Sequence, residues 1–164
     1  MLREWTEADL PALRALYDDP EADRWTPLES PFDDAAARRY LDRVRAGGAD
    51  GSRLHLAVTT DGARPLGEVL LGATEPDEAE IGYCIDAAHR RRRLATRSVR
   101  AMTGHAGDLG LRRVVLRIEA ANDASAGVAR AAGFVLTPAP PQVRQSKGRT
   151  VELRTWERML RPTG

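Results

Sequence analysis

Apolar residues recur along this chain with two different periods, and the alternation between them sets out its elements. Leu10, Leu13, Leu16 and Tyr17 share one face of a helix that Thr6 and Asp9 open as a capping pair and Asp18-Asp19-Pro20 ends. Ahead of it, Leu2 to Trp5 reads as a short strand. Glu21 to Phe32 reads as a loop or short irregular helix. A second helix is expected from Asp33 to Ala46, stopped by Gly47-Gly48. The period then drops to two. Leu54, Leu56 and Val58 alternate with His55 and Ala57, Asp61-Gly62 marks a hairpin turn, and Pro65 to Gly72 is the return strand. A third strand covers Ala79 to Asp86. Ala95, Val99, Met102, Ala106 and Leu109 restore the helical period. Gly104 and Gly107 weaken that helix by about 1 kcal/mol each, and Gly110 is placed to cap its end.

A strand over Arg113–Glu119 follows, then a short helix opening at Asn122-Asp123-Ala124-Ser125, then Gly133-Phe134. Residues 138–150, with Pro138, Pro140, Pro141 and Gly148, read as a mobile loop before a last strand from Val151 to Leu160. A hairpin is antiparallel, whereas strand–helix–strand around 79–119 requires a parallel pair. The expected fold is therefore α/β, with a mixed, mostly antiparallel sheet flanked by helices. No repeat or linker divides the 164 residues, so residues 1–164 read as a single domain.

Composition narrows the function. A hydrophobic share of 42% with 30% charged residues fits a globular protein. The net charge of +1 leaves no broad basic face for nucleic acid. Cys84 is the single cysteine, which excludes an internal disulfide and suggests a reducing, cytoplasmic setting. His55, His89 and His105 are scattered without metal-ligand spacing, so no metal is expected. Neither a signal core nor an apolar run of membrane length is present, so no membrane partner is expected.

Local charge is more informative. Arg90-Arg91-Arg92-Arg93 lies where the third strand runs through a tight turn into a helix. A helix start presents unpaired N–H groups backed by the positive end of the helix dipole, a place suited to phosphate.

The order strand, basic turn, helix, strand, Asn-x-x-Ser, helix, Gly-Phe resembles the GNAT superfamily of acyl-CoA-dependent N-acyltransferases, in particular its Rim-type branch of ribosomal-protein N-terminal acetyltransferases. The resemblance spans nearly the whole chain and is most specific from Glu80 to Phe134. It implies acetyl-CoA as cosubstrate, with a pyrophosphate loop, Arg/Gln-x-x-Gly-x-Gly/Ala in the family, falling on Arg90, Arg91, Arg92, Arg93, Leu94 and Ala95, followed by Thr96. Two family glycines are replaced, at Arg91 and Arg93. An arginine there can still present its N–H if its φ is negative. The resemblance further implies that the strand end at Cys84, Ile85 and Asp86 splays from its neighbour, pairs with pantetheine and offers an N–H to the oxyanion.

Catalytic side chains are few, because an amine attacks a thioester readily once aligned. Glu80 is the first choice for general base. It lies on the central strand, where the superfamily often carries one, and an apolar cleft would raise its pKa toward neutrality. An ordinary exposed strand glutamate is the alternative. Glu68, on the neighbouring strand, is the second choice, and the two could share one water. Tyr83 reads as a packed core tyrosine, and Cys84 as a small buried hydrophobe without a base to activate it.

Many family members carry a tyrosine acid four residues before Gly-Phe, here Ala129. The Rim-type substitute is Ser125, which would hydrogen-bond the sulfur, with Asn122 on pantetheine. Both also suit a helix N-terminus. Arg24-Trp25-Thr26-Pro27 matches the Rim-type loop that walls the acceptor cleft, so Trp25 is a substrate-binding candidate. Trp156 fits either the core or a subunit interface, which leaves a homodimer open.

The leading expectation is thus transfer of an acetyl or other short acyl group to a primary amine, either a small molecule or a protein N-terminus. A binding module that kept the fold is the second reading, and a nucleic-acid binder using the arginine run the third.

Overall fold

Two apolar clusters on opposite faces of one sheet organise the chain, and the computed structural model describes residues 1–160 of it. The elements are β1 (Leu2–Arg3), a 3-10 turn (Glu7–Asp9), α1 (Leu10–Tyr17), α2 (Pro20–Trp25), α3 (Asp34–Asp50), β2 (Arg53–Val58), β3 (Gly67–Glu75) and β4 (Glu78–Ile85). A second 3-10 turn (Ala87–His89) leads to α4 (Leu94–Asp108), β5 (Arg113–Glu119), α5 (Asp123–Ala131), β6 (Val135–Leu136), β7 (Gln142–Ser146) and β8 (Arg149–Met159). The strands run in the order β1-β2-β3-β4-β5-β8-β6, with β7 also paired to β8. Every pairing is antiparallel except β4 with β5, so the mixed α/β sheet expected from the sequence is present.

Alternation divides β4 between the two faces. Ile81 and Ile85 join Val99, Met102, Leu116, Phe134 and Trp156 in the cluster under α4 and α5. Glu80, Gly82 and Cys84 face the other way, toward the cluster that α1 and α3 build from Leu13, Leu16, Tyr17, Phe32, Tyr40 and Leu41. Trp156 is therefore a core residue.

Three sequence expectations are corrected, and the short helix weighed within Glu21–Phe32 is present. Gly47-Gly48 does not stop α3, which continues to Asp50 because Gly51, at φ 73°, supplies the left-handed cap. Leu109 is 60% exposed just beyond α4, whose inner face is Leu94, Ser98, Val99, Met102, Thr103 and Ala106. Part of Glu21–Phe32 is helical: Pro20 starts α2, and the Asp19 carboxylate accepts hydrogen bonds from the N–H groups of Glu21 and Ala22. Within residues 138–150 lies β7, joined to β8 by a two-residue turn in which Lys147 (φ 50°) and Gly148 (φ 74°) are both left-handed.

The first turn shows the electrostatics of the fold. Asp9 accepts hydrogen bonds from the Thr6 N–H and hydroxyl and is paired with Arg3 at 2.7 Å. The Arg3 hydrogen bonds hold the Asp9 pKa below the ordinary carboxylate value. Its stabilising contribution should therefore be complete above the unfolded value of about 3.9 and be lost as pH falls through the lower folded value. Acid denaturation of Asp9→Asn, less steep than that of the wild type, would check this.

Candidate active site

β4 and β5 form a fork. They pair only at Glu78/Arg113, Ala79/Val114 and Glu80/Val115, and beyond Glu80 they separate, while β4 stays paired to β3 as far as Ile85. Gly82, Tyr83, Cys84 and Ile85 thus have no partner strand on the β5 side. The splay expected at Cys84, Ile85 and Asp86 is present. Gly67 lets β3 follow β4 closely there, since a Cβ on it would stand 2.5 Å from the Cys84 carbonyl oxygen. Asp86 donates its N–H to the Leu66 carbonyl and its carboxylate accepts from the Ala88 N–H, so its backbone donor is already engaged.

The arginine turn lies at the open end of the fork. Arg91 (φ 61°) and Arg93 (φ 59°) both occupy the left-handed region, at the two positions where the resembling family has glycine. The negative φ anticipated for arginine at these places is not found. The turn keeps the glycine-type conformation and carries its steric cost. Alternating left-handed residues turn successive N–H groups inward, a concavity that suits anions. α2, α3 and α5 each have a side-chain cap, from Asp19, Asp33 and Asn122, whereas Arg93 caps α4 with none and no acidic residue stands in its first turn. The N–H groups of Leu94, Ala95 and Thr96 are therefore left for a ligand. These features fit a pyrophosphate.

Arg90 itself is committed elsewhere. It donates to the Ile85 carbonyl (3.1 Å) and to Asp19 (2.8 Å) and lies 3.6 Å from Glu21, while Arg91, Arg92 and Arg93 are exposed. Replacing Arg93 with glycine should raise stability by about 1 kcal/mol through relief of the left-handed arginine and leave acetyl-CoA affinity intact. Thermal denaturation and calorimetry would check both.

On the α1–α3 face of the fork, charge collects at its base. Glu80 is 27% exposed and ion-paired with Arg117, whose side chain is 9% exposed and also 3.6 Å from Glu78. Arg144, reaching in from β7, is 3.9 Å from Glu80. Glu80 thus sits among guanidinium groups and not in the apolar cleft anticipated. Glu68 is fully buried: its Oε2 accepts from the Tyr40 hydroxyl (2.6 Å) and from that of Tyr17, and its Oε1 is 3.4 Å from His55 Nδ1. Burial, then the Glu68 charge, pushes both phenols well above their ordinary pKa, so they remain protonated donors. Glu68 faces Cys84 across the sheet and Glu80 faces Gly72. Four residues along a strand span roughly 13 Å, too far for the two carboxylates to share one water.

On the other face, the Asn122 side chain caps α5 by accepting from the Ser125 N–H at 3.0 Å. The capping role weighed for Ser125 therefore belongs to Asn122, and the Ser125 hydroxyl is free of it. Ala129 is fully buried on the same helix. Burial raises the Cys84 thiol to about 12, so at neutral pH it is protonated and unsuited to carry an acyl group.

A crossbar, α2, bridges the fork on its α1–α3 face. At one end of α2, Asp19 holds Arg90 beside the tip of β4. At the other, Lys147 donates to the Asp23 carbonyl (2.7 Å) and Arg149 to that of Arg24. Burial raises the Asp19 pKa, and the bonds from Arg90, Ala22 and Glu21 outweigh it, leaving the group below its ordinary value. Trp25, partly buried under the Arg24 guanidinium at 4.4 Å, ends this helix. Sequence reasoning missed Arg117, Arg144 and Lys147. Arg117 alone left a signal, as a charged residue at an inward position between Val115 and Glu119 on β5.

A profile for the acetyltransferase (GNAT) domain matches residues 1–135. The chain belongs to the GNAT acetyltransferases. It is 30% identical, over 99% of its own length and 95% of theirs, to the L-methionine sulfoximine/L-methionine sulfone acetyltransferases of Pseudomonas paraeruginosa and Pseudomonas aeruginosa. Two solved structures show the same fold. One is the acetyltransferase of Salmonella typhimurium that modifies the N-terminal serine of ribosomal protein L7/L12 (TM-score 0.85, 22% identity, 98% of this chain and 94% of that one). The other is the spermidine N-acetyltransferase of Vibrio cholerae with CoA and spermine (TM-score 0.80, 16% identity, 97% and 94%). This GNAT chain is an N-acetyltransferase that takes its acetyl group from acetyl-CoA. Among the described residues no helix is long and apolar enough to cross a membrane, and no cluster could hold a metal.

Proposed function

We propose that the acceptor is the primary amine of a small molecule, not a protein N-terminus, and that it attacks the thioester directly. The observation that carries the reading is the α2 crossbar. Tied to Arg90 beyond the tip of β4 and to Lys147 and Arg149 of the β7–β8 hairpin, α2 bridges the mouth of the fork, an arrangement that suits a small amine better than an extended chain. The relatives similar along nearly the whole chain support it, being named for derivatives of a single amino acid. A cytoplasmic setting agrees with the single, protonated thiol of Cys84.

When bound, acetyl-CoA supplies an acyl group activated as a thioester. The residues do the rest. Arg91 to Thr96 offer N–H groups to the pyrophosphate, and the unpaired edge of Gly82–Ile85 offers backbone groups to pantetheine and to the developing oxyanion. Glu80, on the acceptor face at the last β4–β5 pair, takes the ammonium proton. Ser125, freed from capping, gives its hydroxyl to the sulfur. Trp25 walls the acceptor, and buried Glu68 supports that wall through Tyr17 and Tyr40.

A coenzyme-binding module without turnover is the second reading, favoured by alanine at position 129. Release of CoA thiol, measured with L-methionine sulfone, spermidine and a peptide beginning with serine, separates the possibilities. The small amines should exceed the peptide in kcat/KM by roughly tenfold or more, about 1.4 kcal/mol. A peptide preference would overturn the acceptor assignment, and binding without thiol release would establish the module.

A further inference from the structure

Tyr83 is a functional group in the fork that the mechanism above leaves unused. It lies in the separated part of β4, and its side chain packs on the apolar cluster shared with α4 and α5. Its hydroxyl is buried without a hydrogen-bond partner. Such an orphan is destabilising, a cost that phenylalanine at the same place would avoid. The polar group beside it is the Ser125 hydroxyl on the first turn of α5. One turn further along that helix is Ala129, fully buried, which leaves the helix no phenol of its own.

We propose that Tyr83 is a catalytic residue of the acetyl transfer: its hydroxyl, with that of Ser125, forms a two-donor site for the sulfur of CoA. The proposal rests on the acetyltransferase reading above and adds a residue to it. Burial raises the Tyr83 phenol to about 12 against a smaller opposing effect of Ser125, so it is a protonated donor throughout the neutral range. In the step itself the amine nitrogen bonds to the acyl carbon, and the carbon–sulfur bond breaks with its electron pair going to sulfur. Glu80 takes the amine proton, and Tyr83 and Ser125 hold the negative sulfur by hydrogen bonds until water protonates it. Ser125 is the polar side chain that acts on this hydroxyl, and the protein gives the phenol no acceptor at hydrogen-bond length, a role the coenzyme sulfur would fill. Donors held in place by the packing around them need little reorganisation as charge develops.

Tyr83→Phe is the test, because it deletes the hydroxyl and nothing else. The melting temperature should stay the same or rise, and kcat should fall by about 10²-fold with the KM of the amine unchanged. A binding measurement supports this without turnover. By calorimetry the wild-type protein should bind CoA more tightly than desulfo-CoA, and Tyr83→Phe should narrow that preference by roughly tenfold, equivalent to about 1.4 kcal/mol. Ser125→Ala should narrow it too, and the double variant should lose less than the product of the single losses. An unchanged kcat with an unchanged CoA to desulfo-CoA ratio would overturn the proposal. So would failure of Tyr83→Phe to fold, which would make the hydroxyl a structural one. Loss of the acetyltransferase reading would look different, with the wild type releasing no thiol from acetyl-CoA in the presence of amines whether or not coenzyme binds.

Discussion

Glu80→Gln is expected to lower turnover by about 10²–10⁴-fold while leaving acetyl-CoA affinity unchanged. The two effects separate because of where Glu80 stands. It is at the last β4–β5 pair, on the face opposite the α4 start, so it meets the acceptor and not the pyrophosphate turn. Glutamine keeps the size and a hydrogen-bonding oxygen but cannot take a proton. The loss should be greatest at low pH, where the amine arrives protonated, and should shrink as pH rises past the amine pKa. The Arg117 ion pair fixes the carboxylate in place and gives the variant a control. Arg117→Gln should free Glu80 to move, lowering kcat less than Glu80→Gln does. A pH–rate profile unchanged in Glu80→Gln would remove Glu80 from the chemistry.

Glu68→Ala is expected to act on stability instead, costing about 3–5 kcal/mol. Glu68 is fully buried and accepts hydrogen bonds from two buried phenols, Tyr17 and Tyr40, which also pack against Phe32 at ring separations of 5.2 and 5.9 Å. Removing the carboxylate leaves both hydroxyls without their acceptor and opens a void among closely packed rings. For a chain of this length each kcal/mol shifts Tm by about 2–4 °C, so a fall of roughly 10 °C is expected. Glu68→Gln should cost less, since one oxygen is retained. A Glu68→Ala protein with the wild-type Tm would show that the cluster does not hold α1 and α3 to the sheet. The two glutamates that look alike in the sequence are thus separated by the register: on the mechanism proposed, loss of Glu80 should act on turnover and loss of Glu68 on the fold.

Most of the fold was legible because its helices bury one face each and its strands alternate between two covered faces. The alternation at Leu54, Leu56 and Val58 and the helical spacing at Ala95, Val99, Met102 and Ala106 state burial directly. β7 carried no such signal, since nearly all of it is exposed and what holds it is pairing with β8 and two cationic contacts to α2. Gly47-Gly48 misled because the stop depends on which residue adopts a positive φ, and that residue is Gly51. The basic turn showed its chemistry but not its conformation: nothing in a run of four arginines distinguishes the two left-handed members. The pairing of Glu80 with Arg117 and the burial of Glu68 under Tyr17 and Tyr40 arise between segments 28 to 51 residues apart, and a linear pattern does not record them.

The central claim is that the fork binds acetyl-CoA and that the amine attacks it directly. Incubation with acetyl-CoA, with and without L-methionine sulfone, followed by assay of free CoA thiol and mass analysis of both protein and small molecule, tests it most directly. The account predicts no thiol release and no acetylated protein without the amine, and thiol and N-acetylated product in equal amounts with it. Acetyl found on Cys84, or coenzyme left intact in the presence of this and other small amines, would contradict it.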